Sequence, residues 1–240
     1  MQALSHKAGI QEYSEAKSNC TSTCAFDDLL PVAESGYARA MNAEVEFWFE
    51  FASTYSYLAV CRVEATASRS LVYLKWRPFL LGPIFAQQGW NDSPFNIYPA
   101  KGKNMWRDME RLCQKYGLGL RRPSQFPRNG LLAARVAYAM NESAMPAFVK
   151  AVYAANFAED RDISAASVIR EILQSLGADA DAMLASAQSD QVKNKLRSAT
   201  ADAIQHGIFG APSFVVGDEL FWGNDRLEDA IEFAARKTNG

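Results

Sequence analysis

The stretch EVEFWFEFASTYSYLA, Glu44 to Ala59, decides the fold. Val45, Phe47, Phe49 and Phe51 alternate with Glu46, Trp48, Glu50 and Ala52, a two-residue period dense in aromatic side chains that predicts a strand. The second set is only partly polar, so the strand is expected to be covered on both faces. Ser53 follows as a candidate N-cap. Tyr57, Leu58, Cys61 and Ala65 then fall at helical spacing, which predicts one helix from Ser53 to about Ser68. A second strand is expected from Leu71 to Trp76, closed by Pro78. Strand, helix, strand in that order predicts a parallel pair with a right-handed crossover.

Downstream, Leu80 to Lys101 reads as loop-rich, with Gly82-Pro83, Gly89, Pro94 and Pro99 as breakers. From Met105 to about Ala203 the pattern is almost wholly helical. Helices are expected at 103–116, 129–142, 145–158, 163–175, 179–187 and 189–206, with Gly117, Gly177 and Gly207 as stops. Ser213 to Val216 and Leu220 to Trp222 predict a hairpin around Gly217-Asp218-Glu219. A last helix is expected near Asp225, where Asp225 and Glu228 have the spacing of a capping box.

Setting the helical block aside leaves βαβ followed by ββα. That is the thioredoxin arrangement: an α/β, thioredoxin-like fold carrying a long all-helical insertion. The expected division is a thioredoxin-like domain of residues 43–102 and 207–240 with an inserted helical domain of residues 103–206. Residues 1–42 read as a leader, poorly packed or upstream of the true start.

Composition narrows the function classes. The chain has 240 residues, 49% of them hydrophobic and 22% charged, which excludes bulk disorder and allows a sizeable core. With 25 Lys+Arg against 27 Asp+Glu the net charge is -2, which argues against a nucleic-acid binder that depends on a basic surface. No run of 18 apolar residues appears, so no membrane helix is expected. The first twenty residues lack the apolar core of a secretory signal, so the cytoplasm is the expected compartment. Only two histidines, His6 and His206, and four cysteines are present. They leave no multi-histidine metal site, no dense disulfide framework and no Ser–His–Asp triad. Cys20 and Cys24 lie in the leader; Cys61 and Cys113 read as buried small hydrophobes.

In a thioredoxin arrangement the reactive group follows the first strand, at the N-terminus of the first helix. There the exposed N–H groups and the helix dipole stabilise a thiolate. Redox proteins place Cys-x-x-Cys at that point; this chain has Ser53-Thr54-Tyr55-Ser56. Disulfide exchange needs thiolates, so an ordinary disulfide oxidoreductase is excluded at that site. Ser53 either simply caps its helix or also donates a hydrogen bond to the thiolate of a bound thiol. In Gly210-Ala211-Pro212-Ser213, Pro212 is either an ordinary trans proline at a strand start or a cis proline. The cis form would present the Ala211 backbone beside Ser53 as a short pairing edge.

Other candidates carry a bland and a functional reading side by side. Asp225 is a plain cap, or a cap that also receives an ammonium group. Lys101 is a solvated loop lysine, or holds a carboxylate. Arg121, Arg122 and Arg128 form a solvated cluster, or serve an acidic substrate. The aromatic set Tyr55, Tyr57, Trp90, Phe95, Trp106 and Phe126 fits core better than pocket.

The segments Phe49 to Ala59, RPFLLGPIFAQQGWN and GIFGAPSFVVGDELFWGNDRLE, in that order and separated by a helical block, resemble the 2-hydroxychromene-2-carboxylate isomerase family. That family stands with the kappa-class glutathione transferases in the DsbA-like branch of the thioredoxin superfamily. The resemblance runs from Val45 to the C-terminus and leaves out the leader. It implies a glutathione-dependent enzyme with a cis proline at Pro212 and Ser53 facing the glutathione sulfur. It also implies that Ala211 pairs with the cysteinyl backbone and that Asn224 and Asp225 hold the γ-glutamyl end beside Trp222 and Gly223. Lys101 would sit near the glycyl carboxylate or the substrate, with Asn91 and Phe126 on the substrate side. Thr54 departs from the family's common proline, a change that leaves the helix start intact. The implied reaction is reversible thiolate addition to an aromatic substrate, bond rotation and elimination, by an enzyme expected to be a homodimer. The alternatives are a kappa-like transferase that conjugates aromatic electrophiles and a non-catalytic thiol-binding module.

Overall fold

Strand β1, Glu44–Phe49, lies at the centre of the molecule and is buried from both sides. The computed structural model describes residues 43–237; the leader expected over residues 1–42, with His6, Cys20 and Cys24, lies outside the described residues. After β1 come helices α1 (Thr54–Val60) and α2 (Val63–Arg69), strand β2 (Tyr73–Pro78), and helices α3 (Leu81–Gln87), α4 (Pro94–Ile97) and α5 (Pro99–Tyr116). Five more helices follow: α6 (Leu131–Ala139), α7 (Met145–Phe157), α8 (Ala166–Ser175), α9 (Ala180–Ser186) and α10 (Asp190–Gln205). The hairpin β3 (Ser213–Val216) and β4 (Glu219–Trp222), a short 3₁₀ turn at Asn224–Arg226 and helix α11 (Leu227–Lys237) complete the described chain.

The sheet order is β2-β1-β3-β4. β1 runs parallel to β2, with Phe47 opposite Trp76, and antiparallel to β3, with Phe47 opposite Phe214. β3 and β4 form the antiparallel hairpin. This is the thioredoxin-like sheet, and the parallel pairing of β1 with β2 is the one the strand–helix–strand order predicts.

The imperfect alternation along β1 has a direct physical consequence. On one face Val45, Phe47 and Phe49 are fully buried; Phe47 stacks on Phe214 at 5.2 Å and meets Trp76 edge-on at 5.2 Å. On the other face Trp48 is also fully buried, against Phe79 and a second cluster built from Ile84, Ala199, Ala203 and Ile208. Each such aromatic contributes about 1.5–3 kcal/mol by leaving water. The first cluster runs on without a break into the helical block, where Phe51 packs on Phe148 and Tyr153 at 6.5 and 5.4 Å.

Three local expectations are corrected. The single helix over 53–68 is two helices, because the chain breaks at Cys61–Arg62, where Arg62 leaves the helical region with φ -120°. The break resets the helical phase, so Val63, Thr66 and Ala67 are buried in α2 while Cys61 and Ala65 are exposed. Cys113 is buried as expected; Cys61 is not. The second correction concerns the stretch read as loop, which contains α3, α4 and the first turn of α5. Its prolines fall in first turns, where a missing N–H leaves no intrahelical bond unmade, so they start helices here rather than stop them. Finally, the capping box near Asp225 does not form. Helix α11 begins at Leu227, Asp225 pairs with Arg226, and Glu228 pairs with Arg62.

Candidate active site

Ser53 stands at the mouth of α1 with φ -75° and ψ 118°, the extended geometry of an N-cap. Its oxygen accepts the Ser56 N–H at 3.2 Å, and its hydroxyl donates to the Ala211 carbonyl at 2.8 Å. Ser53 is therefore a cap, and its hydroxyl also reaches the Ala211 backbone. Ser56 is fully buried and so is Thr54, which leaves Ser53 as the aliphatic hydroxyl of the Ser-Thr-Tyr-Ser run on the cavity wall, next to the Tyr55 phenol. The Ala211–Pro212 peptide bond is cis. The loop it belongs to is fixed by two further bonds: Gly223 N–H to the Pro212 carbonyl at 3.0 Å, and the Ser213 hydroxyl to the Gly210 carbonyl at 2.9 Å.

Ser53 and Ala211 open onto a cavity of about 1410 Å³ whose wall is mostly apolar. Ligand pockets of drug size occupy roughly 300–1,000 Å³, so this one has room for a tripeptide and an aromatic molecule together. Its wall includes Asn91, Lys101, Phe126, Trp222, Gly223, Asn224 and Asp225, but neither Arg121 nor Arg122. Pro212 is buried behind Ala211.

These side chains differ in how firmly they are held. Asn224 is buried, and its Oδ1 accepts from Arg62 Nη1 at 2.8 Å. Arg62 itself lies over the Tyr116 ring at 4.3 Å and pairs with Glu228. The helix break at Cys61–Arg62 thus brings Arg62 to the site and fixes which way the Asn224 amide points. Asp225 is exposed, 3.2 Å from Arg226. Lys101, expected in a loop, projects from the first turn of α5 with its ammonium 5.2 Å from the Tyr98 ring. Phe126 meets Trp106 edge-on at 5.0 Å and precedes a second cis bond, to Pro127. Trp222 is half exposed and packs on Phe209 at 4.8 Å. Gly210 lies so close to the Trp222 indole that an added Cβ would collide with its Nε1, and the indole would have to shift to admit it.

Other expectations divide. In the aromatic set, Tyr57 and Trp106 are core, as expected, but Tyr55, Trp90, Phe95 and Phe126 line the cavity. Arg128 is no part of a solvated cluster: its guanidinium is buried, pairs with Asp160 and donates to the Arg161 carbonyl at 2.9 Å.

Beyond the aromatic reading of Tyr55, the sequence singles out none of three further groups at or beside the cavity. Tyr55 donates to Asp108 at 3.0 Å; burial, and then that carboxylate, push its phenol well above the usual range. Arg62 carried no signal at all, since its role depends on a break that periodicity does not show. Glu50 did carry one, an acid inside a run covered on both faces, three residues before Ser53. Burial pushes its carboxyl from 4.5 up to about 7, against the lowering effect of the Ala52 N–H.

The donor set fits a tripeptide thiol. A hydroxyl and helix N-terminus stand where a thiolate gains most, and a backbone edge lies beside them. A buried amide, a carboxylate and a lysine stand on the same cavity wall.

The family described as DSBA-like thioredoxin domain matches residues 44–232. A 2-hydroxychromene-2-carboxylate isomerase of Sphingobium xenophagum is 33% identical over 190 residues, 78% of this chain and 96% of the relative. A kappa 2 glutathione S-transferase of Caenorhabditis elegans is 26% identical over 214 residues, 82% of this chain and 93% of the relative. A solved 2-hydroxychromene-2-carboxylate isomerase superposes with TM-score 0.72 at 27% identity, covering 82% of this chain and 98% of its own. The chain therefore belongs to the 2-hydroxychromene-2-carboxylate isomerase family of DSBA-like, thioredoxin-fold proteins.

Proposed function

We propose that this protein is a glutathione-dependent isomerase of an aromatic substrate of the 2-hydroxychromene-2-carboxylate type. The observation that carries the reading is the Ser53–Ala211 pair at the mouth of α1, opening on a largely apolar cavity. Glutathione, when bound, supplies a thiolate whose reversible addition turns a double bond into a single bond, so that rotation and elimination can follow. Ser53 turns its hydroxyl from the Ala211 carbonyl toward the sulfur and, with the helix N-terminus, holds it as thiolate. It acts as a stabiliser and not as a covalent nucleophile. Ala211 offers its backbone to the cysteinyl residue beside Pro212. Asn224, oriented by Arg62, and Asp225 hold the γ-glutamyl end, with Trp222 and Gly223 alongside. Lys101 meets the glycyl carboxylate or the acid of the substrate. Asn91 and Phe126 face the aromatic substrate, and the apolar wall excludes water from it.

Absorbance loss of a 2-hydroxychromene-2-carboxylate, followed with glutathione far below substrate, tests this. Many turnovers per glutathione are expected. Consumption of one glutathione per product would instead mark the transferase reading, which the kappa-class relative keeps in view. Glutathione binding with no turnover on any aromatic electrophile would mark a thiol-binding module. A homodimer in the cytoplasm completes the reading, and sedimentation of the purified protein checks the dimer. Among the described residues no helix is long and apolar enough to cross a membrane.

A further inference from the structure

Glu50 follows the last residue of β1, and its carboxyl enters the wall of the cavity that Ser53 faces. One oxygen accepts the Ala52 N–H at 2.9 Å. The other lies against Gly130, where an added Cβ would stand 3.2 Å from Oε1 and 2.7 Å from the Phe51 Cβ. Among the described residues no cation pairs with this carboxyl. Arg128, on the same cavity wall, is committed to Asp160. Lys101 and Lys115 lie over the rings of Tyr98 and Tyr116, and Asp108 accepts from Tyr55. From α7 the titratable group that faces Glu50 is Tyr153, whose hydroxyl donates to the Glu50 backbone carbonyl at 2.6 Å. From the turn after β1, the contact is the neutral Ala52 amide. A carboxyl so placed is held near neutrality by burial, where a proton is both taken and given readily.

Resting on the glutathione reading above, we propose that Glu50 is the acid–base group of this site: it accepts the proton of the bound thiol and delivers it to the substrate. Glu50 carboxylate takes the S–H proton on Oε1, and the S–H electron pair stays on sulfur. As that pair forms the S–C bond, the C=C pair of the unsaturated carbonyl compound moves toward its oxygen, and Glu50 returns the proton to the resulting enolate. Elimination runs the same transfers backwards, so no proton, electron or thiol is consumed. The electrostatics favour one shared proton: a carboxylate and a thiolate confined in one apolar cavity repel, so the pair loses its two protons in separate steps.

The test is a thiolate titration by ultraviolet absorbance on protein saturated with glutathione, wild type against Glu50→Gln, which keeps an acceptor for Ala52. Two steps are expected in the wild type and one in the variant. The pH–rate profile of the variant should also lose its limb near neutrality, with kcat down about 10²-fold or more. Infrared difference spectra of the wild type need no variant: adding glutathione at neutral pH should produce a protonated-carboxyl band. Glutathione binding with identical titrations, an unchanged pH profile and no carboxyl band would overturn this proposal and leave the isomerase reading standing. Failure of the wild type to bind glutathione in a calorimeter would overturn both.

Discussion

The Ser53 hydroxyl donates to the Ala211 carbonyl at 2.8 Å, across 158 residues of sequence. That bond joins the N-terminus of α1 to the loop before β3, and it sits between the two groups proposed to flank the sulfur of glutathione. The same oxygen accepts from Ser56 N–H, so the side chain is held at both ends before any ligand arrives. Catalysis by such a residue costs little reorganisation, because only the hydroxyl hydrogen has to turn.

Replacing Ser53 with Ala separates its two duties. Loss of the cap is expected to lower stability by about 1 kcal/mol, read as a shifted denaturant midpoint. Loss of a positioned donor is expected to lower kcat by about 10²–10³-fold, read with a competent chromene substrate. Turnover at the wild-type rate would remove Ser53 from the mechanism.

Replacing Arg62 with Met leaves the buried Asn224 Oδ1 without its donor and frees the amide to turn. Bonds to charged donors are worth about 1.5–3 kcal/mol, so glutathione affinity is expected to fall roughly 10-fold or more by calorimetry. Circular dichroism should stay near wild type, since methionine keeps an apolar stem over the Tyr116 ring.

Gly210→Ala pushes the Trp222 indole off its present seat against the loop. Trp222 is half exposed and able to move, so stability is expected to change by less than about 1.5 kcal/mol. The indole fluorescence should shift, and KM should rise while kcat holds. An unchanged KM would show that Trp222 takes no part in binding.

Glu50 titrates near 4.5 in the unfolded chain and near 7 in the folded one. The folded state thus binds the proton more tightly. The stability this contributes is present below about 4.5 and is lost as pH rises through about 7. Relative to wild type, Glu50→Gln should gain about 2 kcal/mol above neutrality, a figure reduced for the carboxyl's partial contact with water. Denaturation as a function of pH measures it. Asp160 and Asp162, held below their ordinary values by Ser124 and Ser164, lose their contribution at lower pH, outside this window.

Much of this architecture was legible because it is written in periodicity. The alternation through Phe51 located β1, and the half-polar second set foretold burial on both faces, which Trp48 shows. Ser53 and Ala211 were legible because a helix start and a proline before a strand are local signals. The losses were non-local. Nothing within a few residues of Arg62 says that a helix breaks there to reach Asn224, and Pro94 and Pro99 look the same whether they end a loop or open a helix. Glu50 stands in the alternation as one of its partly polar set, and that pattern does not single it out, since its burial comes from Gly130 and Ala52 closing around it.

The core that β1 shares with the helical block sets a limit on modularity. Phe49 and Phe51 project from the end of β1 onto Tyr153, at 6.4 and 5.4 Å, so one stack of rings belongs to both parts of the chain. Residues 103–206 are then not a cassette that can be exchanged between relatives by cutting at its ends. A chimera that imports a foreign block, and with it new cavity walls, should fold only if the donor's first strand travels with it.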